Sequence, residues 1–152
     1  VRKVFARQSQ IPAGMFSLVY ISSASSLFSP SQLEDLLGEC RRNNAATAIT
    51  GLLLYKEGNL LQVLEGEEEQ VRSLYAKILR DPRHHGSIVL LQQTLADREF
   101  GDWSMGFRDL ASAEVQAMPG YSEFLNFAWE DRHTVTSTTR VGKLLAFFRN
   151  SR

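Results

Sequence analysis

The chain has 152 residues with 17 basic and 17 acidic side chains, hence a formal net charge of zero. That length supports one domain with a real core plus a short extension, and the balanced charge gives no case for nucleic-acid or membrane-surface binding. Cys40 is the single cysteine, which excludes an intrachain disulfide and suits a reducing cytoplasm; no apolar run reaches the roughly 18 residues a membrane span needs.

In chain order, residues 1–14 carry Arg2, Lys3 and Arg7 but no apolar stretch, so they do not read as a signal peptide. Met15 directly precedes the first strand pattern and is a natural start, which leaves 1–14 as an arm or an appended segment. A first strand is expected over about Phe16 to Ser22, with Phe16, Leu18 and Tyr20 on one face and Val19 and Ile21 on the other. Ser29, Pro30 and Gln32 form a helix start, with a capping box and proline at the first helical position. Leu33, Leu36, Leu37 and Cys40 then keep an i, i+3, i+4, i+7 stripe that Asn44 continues, flanked by Asn43, where the helix is expected to end. Ala48 to Lys56 is apolar almost throughout and reads as a central strand. Lys56-Glu57-Gly58-Asn59 reads as a hairpin turn into a third strand, about Leu60 to Glu65. Glu67, Glu68 and Glu69 open a second helix with the sign its dipole favours; Val71, Leu74, Tyr75 and Ile78 are its buried stripe, and Asp81-Pro82 its stop. Strands over about Ser87 to Gln93 and Asp102 to Asp109 follow. The order is βαββαββ, and two helices on one face of a small sheet define a ferredoxin-like α+β sandwich. After Leu110 the pattern becomes helical: 113–118, 121–130 and, beyond a Ser/Thr-rich linker at 134–139, an amphipathic helix with Val141, Leu144, Leu145 and Phe148. Its stripe fits either the free sheet face or self-association. The division is therefore 1–14, 15–110 and a 111–152 extension.

Several polar residues occupy positions that this pattern assigns to the interior. Asn44 lies on the stripe of the first helix, Gln62 on the leucine-bearing face of the third strand, and Tyr20 at the end of an apolar strand. A buried amide without a partner costs roughly 1–3 kcal/mol, so converging amides and a phenol point to a polar, planar ligand in the core. Each residue also has a plain reading. Asparagines are common near helix ends, a tyrosine is routine in a core, Trp103 and Met105 suit packing, and Lys77 with Asp81 suits a surface i, i+4 pair. Gln62 is hardest to explain this way, because an amide inside an apolar strand needs a partner.

Motifs for other chemistries are missing. There is no G-x-G-x-x-G or Walker loop. The adjacent His84 and His85 diverge, and one cysteine with three histidines makes a metal site improbable. The segment from Ser22 to Pro30 has neither the arginine nor the glycine of an acylphosphatase-like phosphate loop, so an enzyme on this fold is not expected.

The segments LVYISSA, RRNNAATAITGLLLY, LLQVLEG, RDPRHH and FGDWSMGF, in this order, resemble the BLUF family of flavin-binding blue-light sensors. The resemblance covers about Phe16 to Leu110. It implies the ferredoxin-like fold derived above and an FAD chromophore, with FMN or riboflavin as alternatives. By position it implies Tyr20 as the photoactive tyrosine and Gln62 as the glutamine between it and the flavin. Asn44 and Asn43 become ring-edge contacts, and Lys77 stands where relatives often carry an arginine reaching the second carbonyl. Asp81 becomes a helix residue near that cation, and Trp103 and Met105 the reporters of the light signal. It further implies electron and proton transfer from Tyr20 through Gln62, and a reversible hydrogen-bond change with a small red shift. No catalytic domain follows, so the expected output is contact with a protein such as a nucleotide phosphodiesterase, a transcriptional regulator or a response-regulator-like protein. A homo-oligomer is the expected assembly. The competing expectation is a light-insensitive flavin-binding or interaction module.

Overall fold

The computed structural model describes residues 15–101, 106–109 and 139–150, with backbone alone at 106–109, 149 and 150. Strand β1 spans Met15–Ala24. Helix α1 spans Pro30–Thr47 and starts as the sequence predicts: the Ser29 hydroxyl accepts from the Gln32 amide, and the Gln32 side chain accepts from the Ser29 N–H. Its end differs from expectation. Asn43 and Asn44 lie inside the helix, which runs on through the good helix formers Ala45 and Ala46 and stops where Ala48 turns left-handed at φ 56°. Strand β2 therefore starts at Thr50, giving Thr50–Lys56, and the two-residue shortfall against the predicted strand is the cap Ala48 and the connecting Ile49.

Glu57 (φ 46°) and Gly58 (φ 91°) have positive φ, the twist a tight hairpin requires, and join β2 to β3 at Asn59–Gly66. Helix α2 is Glu68–Leu79, with Glu68 and Glu69 in its first turn and Lys77 in its last. Strand β4 is His84–Leu95, longer at both ends than predicted. Strand β5 is described over Gly106–Asp109, and helix α3 is Arg140–Asn150. The expected helices at 113–118 and 121–130, and the strand start at Asp102, lie outside the described residues.

The sheet order is β4-β1-β3-β2-β5. Neighbours are antiparallel except β2 and β5, which are parallel. Thus β3 is the central strand, and β2 is interior beside it. Both β1 and β2 flank β3 and run alike, so α1 is the crossover of one split βαβ unit; α2 is that of the other, linking β3 to β4 around β1.

The two faces carry two cores. Phe16, Leu18, Tyr20, Leu53, Tyr55, Leu60 and Leu64 pack with Leu33 and Leu37 of α1 and Val71 of α2. Val19, Leu52, Leu54, Leu61 and Val63 pack on the other face with Phe100 and with Val141, Leu145 and Phe148 of α3. The strict alternation is what the sequence predicts. The last helix covers its own sheet, one of the two fates its apolar stripe allowed.

Candidate functional site

Helices α1 and α2 do not close over the sheet between them. The gap is a cavity of about 260 Å³. Its floor is Tyr20 of β1, Leu53 of β2, and Leu60 and Gln62 of β3. One wall is Leu36, Cys40, Asn43 and Asn44 of α1 with Glu39; the other is Leu74, Lys77 and Ile78 of α2. Asp81, Arg83 and His84 bound it beyond the C-terminus of α2. Apolar walls with a few converging amides are the chemistry of a planar heterocycle site.

Strand register builds the floor. Tyr20 stands directly opposite Gln62 across the β1–β3 ladder, and Leu53 opposite Gln62 on the β2 side. Residues directly opposite share a face and touch. The Tyr20 phenol donates to Gln62 Oε1 at 2.5 Å, and both residues are buried. Burial is the main cause that pushes the Tyr20 pKa well above its ordinary value, with smaller contributions from Cys40, Tyr75 and Asp81, so the residue is a neutral donor at physiological pH. The Tyr75 ring lies 5.1 Å from that of Tyr20, and Tyr75 Oη is paired with Ser87 Oγ at 2.6 Å.

On α1, Asn44 is 1% exposed, and its carbonyl accepts from the amides of Ala48 and Ile49 at the helix end. Its backbone thus holds the α1–β2 turn while its side chain belongs to the pocket wall. One turn earlier, Cys40 lines the same wall of the cavity. Burial pushes its thiol up to about 11, so it stays protonated.

The far end of the cavity corrects one expectation. Asp81 is not a helical partner of Lys77; it follows α2 and pairs with Arg83. Asp81 Oδ1 accepts from the Arg83 backbone amide at 2.9 Å, and both carboxylate oxygens accept from the guanidinium. Proline at 82 ends the helix and lets this tight turn form. Arg83 Nη2 also donates to Glu39 Oε1 of α1 at 2.7 Å, tying the two walls together at the mouth. The Arg83 guanidinium holds the Asp81 carboxyl below its ordinary range, and the two carboxylates raise the guanidinium in turn. His84 Nε2 must carry a hydrogen, because its partner is the Ile78 carbonyl at 2.7 Å; Nδ1 faces Ser22 Oγ at 2.9 Å.

Tyr20, Gln62, Asn43, Asn44, Lys77 and Asp81 therefore all meet at one cavity. Trp103 and Met105 lie outside the described residues. Sequence reasoning gave no role to Cys40, Arg83 or His84. Asp-x-Arg after a helix stop was the available signal for the Arg83 clamp.

The arrangement defines a class: a small α+β module with a ring-sized slot between two helices and a hydrogen-bonded phenol–amide pair on its floor. Residues 15–106 match BLUF, the sensors of blue-light using FAD, and the chain belongs to that family. It is 35% identical over 107 residues to the blue light- and temperature-regulated antirepressor BluF of Escherichia coli (strain K12), an overlap of 66% of this chain and 26% of that protein. It is 34% identical over 90 residues to photoactivated adenylate cyclase subunit beta of Euglena longa, covering 59% of this chain and 10% of the other. The chain thus spans about a quarter or less of the length of these relatives. Among solved structures, the BLUF protein BlrB in its dark state superposes with a TM-score of 0.62 at 27% identity, covering 69% of this chain and 80% of that one. Klebsiella pneumoniae BlrP1 with FMN and cyclic diGMP gives 0.71 at 29% identity, over 89% of this chain and 34% of the other. The expected ferredoxin-like fold and the expected membership of a family of blue-light sensors both hold. None of the described helices is long and apolar enough to cross a membrane.

Proposed function

We propose that residues 15–110 are a blue-light switch in which Tyr20 and Gln62 are the photoactive pair, and that 111–152 is an extension serving output. The observation that carries this is the 2.5 Å hydrogen bond from the Tyr20 phenol to Gln62 Oε1 on the floor of a slot between two helices. The slot suits an isoalloxazine ring: aliphatic walls for its faces, and amides at Asn43, Asn44 and Gln62 for its edge of carbonyls and N–H. When bound, the flavin supplies blue-light absorption and an excited state that accepts an electron. Tyr20 is the donor of that electron, and its proton moves along the short bond to Gln62. The glutamine amide both donates and accepts, so it can take up the proton and return in a rearranged form. Asn44, with Asn43 beside it, holds the ring edge, and Lys77 offers a point charge to the second carbonyl where an arginine would offer a fork. Asp81 acts on the site through the Arg83 clamp.

A cavity of about 260 Å³ accommodates the ring and leaves the sugar-phosphate tail to the mouth, so FAD, FMN and riboflavin share one recognition chemistry; FAD is the first choice. Trp103 and Met105 directly precede β5 in sequence and are assigned to signal coupling. The receiving partner is a protein, and relatives that include an antirepressor and an adenylate cyclase favour a regulator or nucleotide-metabolising effector in the cytoplasm. Self-association belongs to the same proposal.

The test is the visible spectrum of the flavin-loaded protein before and after a blue flash, then in darkness. A small red shift that reverses is expected, and Tyr20→Phe should keep the yellow colour while losing the shift. Flavin bands that never move in the unmodified protein would favour the light-insensitive flavoprotein instead.

A further inference from the structure

We propose that Tyr75 of α2 is a positioning residue for Tyr20: its ring backs the Tyr20 ring from outside the slot, and its hydroxyl, pinned to Ser87 of the edge strand β4, holds that ring where the Tyr20 phenol meets Gln62. The inference rests on the photoswitch reading above.

Two phenols lie side by side and face different partners. The Tyr20 and Tyr75 ring centroids are 5.1 Å apart and the rings are tilted by 48°, a spacing at which aromatic pairs attract. Tyr20 lines the cavity and Tyr75 does not, so Tyr75 touches the ring from behind. Tyr20 donates to Gln62 Oε1 at 2.5 Å, whereas Tyr75 Oη is hydrogen-bonded to Ser87 Oγ at 2.6 Å. Val89, two residues beyond Ser87, stands opposite Tyr20 on the β1–β4 ladder. The contacts therefore close a triangle. The ladder joins β1 to β4, the Ser87 hydroxyl joins β4 to α2, and the ring pair joins α2 back to β1. Arg72, one turn earlier on α2, donates from Nη2 to Gln92 Oε1 of β4 at 2.9 Å and fastens the same flank.

The plain reading is a core aromatic whose hydroxyl found a neighbour. Tyr75 is only half-buried, however, and water satisfies an exposed hydroxyl nearly as well. What the bond to Ser87 adds is place: it holds the tip of the Tyr75 side chain on β4, so the ring behind Tyr20 cannot drift. That matters because an O–H···O bond is lost over less than an ångström of displacement, and the Tyr20 proton must travel along such a bond and return.

The dark-recovery rate of the flavin shift reads that return. The Tyr20 hydroxyl proton, identified in proton NMR by its absence from Tyr20→Phe, reads the bond itself, with or without flavin. Tyr75→Phe keeps the ring and drops the pin. It should keep the yellow colour, change the dark-recovery rate by about three- to tenfold, the effect of one ordinary hydrogen bond, and move the hydroxyl resonance. Ser87→Ala removes the same pin from the other side and should produce the same two changes, and the double variant should go no further. Ser87→Thr, which keeps the hydroxyl, should recover at the parental rate. A Tyr75→Phe protein with the parental rate or an unmoved resonance overturns the role of Tyr75, as do Tyr75→Phe and Ser87→Ala effects that simply add. Absence of the flavin shift in the unmodified protein would instead count against the photoswitch reading, while the resonance would still decide whether Tyr75 holds Tyr20 in place.

Discussion

At the scale of single residues, two backbone positions show how narrowly the pocket wall is held. Ala48 adopts φ 56°, a left-handed conformation that costs a non-glycine residue about 1–2 kcal/mol. It persists because its amide caps α1 on Asn44 and its carbonyl accepts from Arg98 Nη2 at 2.7 Å. Opposite it, a Cβ at Gly66 would lie 3.2 Å from Ile49 Cγ1 and 3.4 Å from the Ala48 carbonyl, so a side chain there would require Ile49 to give way by a few tenths of an ångström. Relieving the strain at residue 48 leaves every side-chain contact of the site intact. Ala48→Gly should therefore raise unfolding stability by about 0.5–1 kcal/mol, the steric gain less the entropy of glycine; thermal melts of the two proteins would show it, and a lowered Tm would contradict the strain. Tyr20 belongs to the same scale. Removing its hydroxyl keeps the aromatic filler of the floor but takes the phenol donor from Gln62 Oε1, so under the proposed function Tyr20→Phe is expected to keep flavin binding and lose the light response.

At the scale of elements, a buried carboxylate fastens the segment after β4 to the sheet. Glu65 of β3 is fully buried and accepts from Thr50 Oγ1 and from the backbone amides of Glu99 and Phe100. Arg98 bonds Thr50 Oγ1 and the Glu65 carbonyl beside it. The Thr139 hydroxyl accepts from the Gly142 amide at 2.8 Å as the N-cap of α3. Burial first, and the neighbouring Glu65 second, raise the Glu99 carboxyl from 4.5 to about 7, while Thr139 opposes the shift. The folded state therefore binds the Glu99 proton more tightly than the unfolded chain does. This contribution to stability is full below about 4.5 and fades as pH rises through about 7. Glu65 is raised in the same direction by burial and deepens the trend. Glu99→Gln mimics the protonated form, so it should flatten the decline in Tm between pH 5 and pH 8 and leave the variant more stable than the parent at the upper end. A parent whose Tm falls as steeply as before in the variant would remove Glu99 as the cause.

At the scale of the whole molecule, the described residues form a sheet with a slot-bearing layer on one face and a covering helix on the other. Helices α1 and α2 form the slot on one face, while α3 covers Val19, Leu52, Leu54, Leu61 and Val63 on the other. Val63 and Gln62 are consecutive on β3 and point to opposite faces, so a shift of that strand is shared by the pocket and by the seat of α3. The covering helix is also integral to stability: Leu145 is fully buried. Leu145→Ala should cost about 2–5 kcal/mol in denaturant unfolding, as for other buried leucines. A loss below about 0.5 kcal/mol, the scale of a surface substitution, would mean that α3 is not held on the sheet in solution.

What was legible in the sequence alone follows the range of the forces involved. The capping box at Ser29 and Gln32, the hairpin at Glu57-Gly58, the acid-rich start of α2 and the alternating faces of β1 and β3 are set by neighbours within a few residues, and all appear as read. The misplacement of Tyr20, Gln62 and Asn44 in an apolar pattern was equally visible, because a polar residue on a core face needs a partner wherever the chain goes. The end of α1 was misjudged because asparagines mark helix ends only on average, and here tertiary contacts from Arg98 and Gly66 carry the turn to Ala48. Pairing decided the rest. Register set Tyr20 against Gln62 across 42 residues. The Asp81–Arg83 turn swung its guanidinium to Glu39 rather than leaving Asp81 to Lys77, and the slot brought Cys40 of α1 to the same cavity as Gln62 of β3. Such contacts join segments that no local period relates, so they exist only once the sheet has closed.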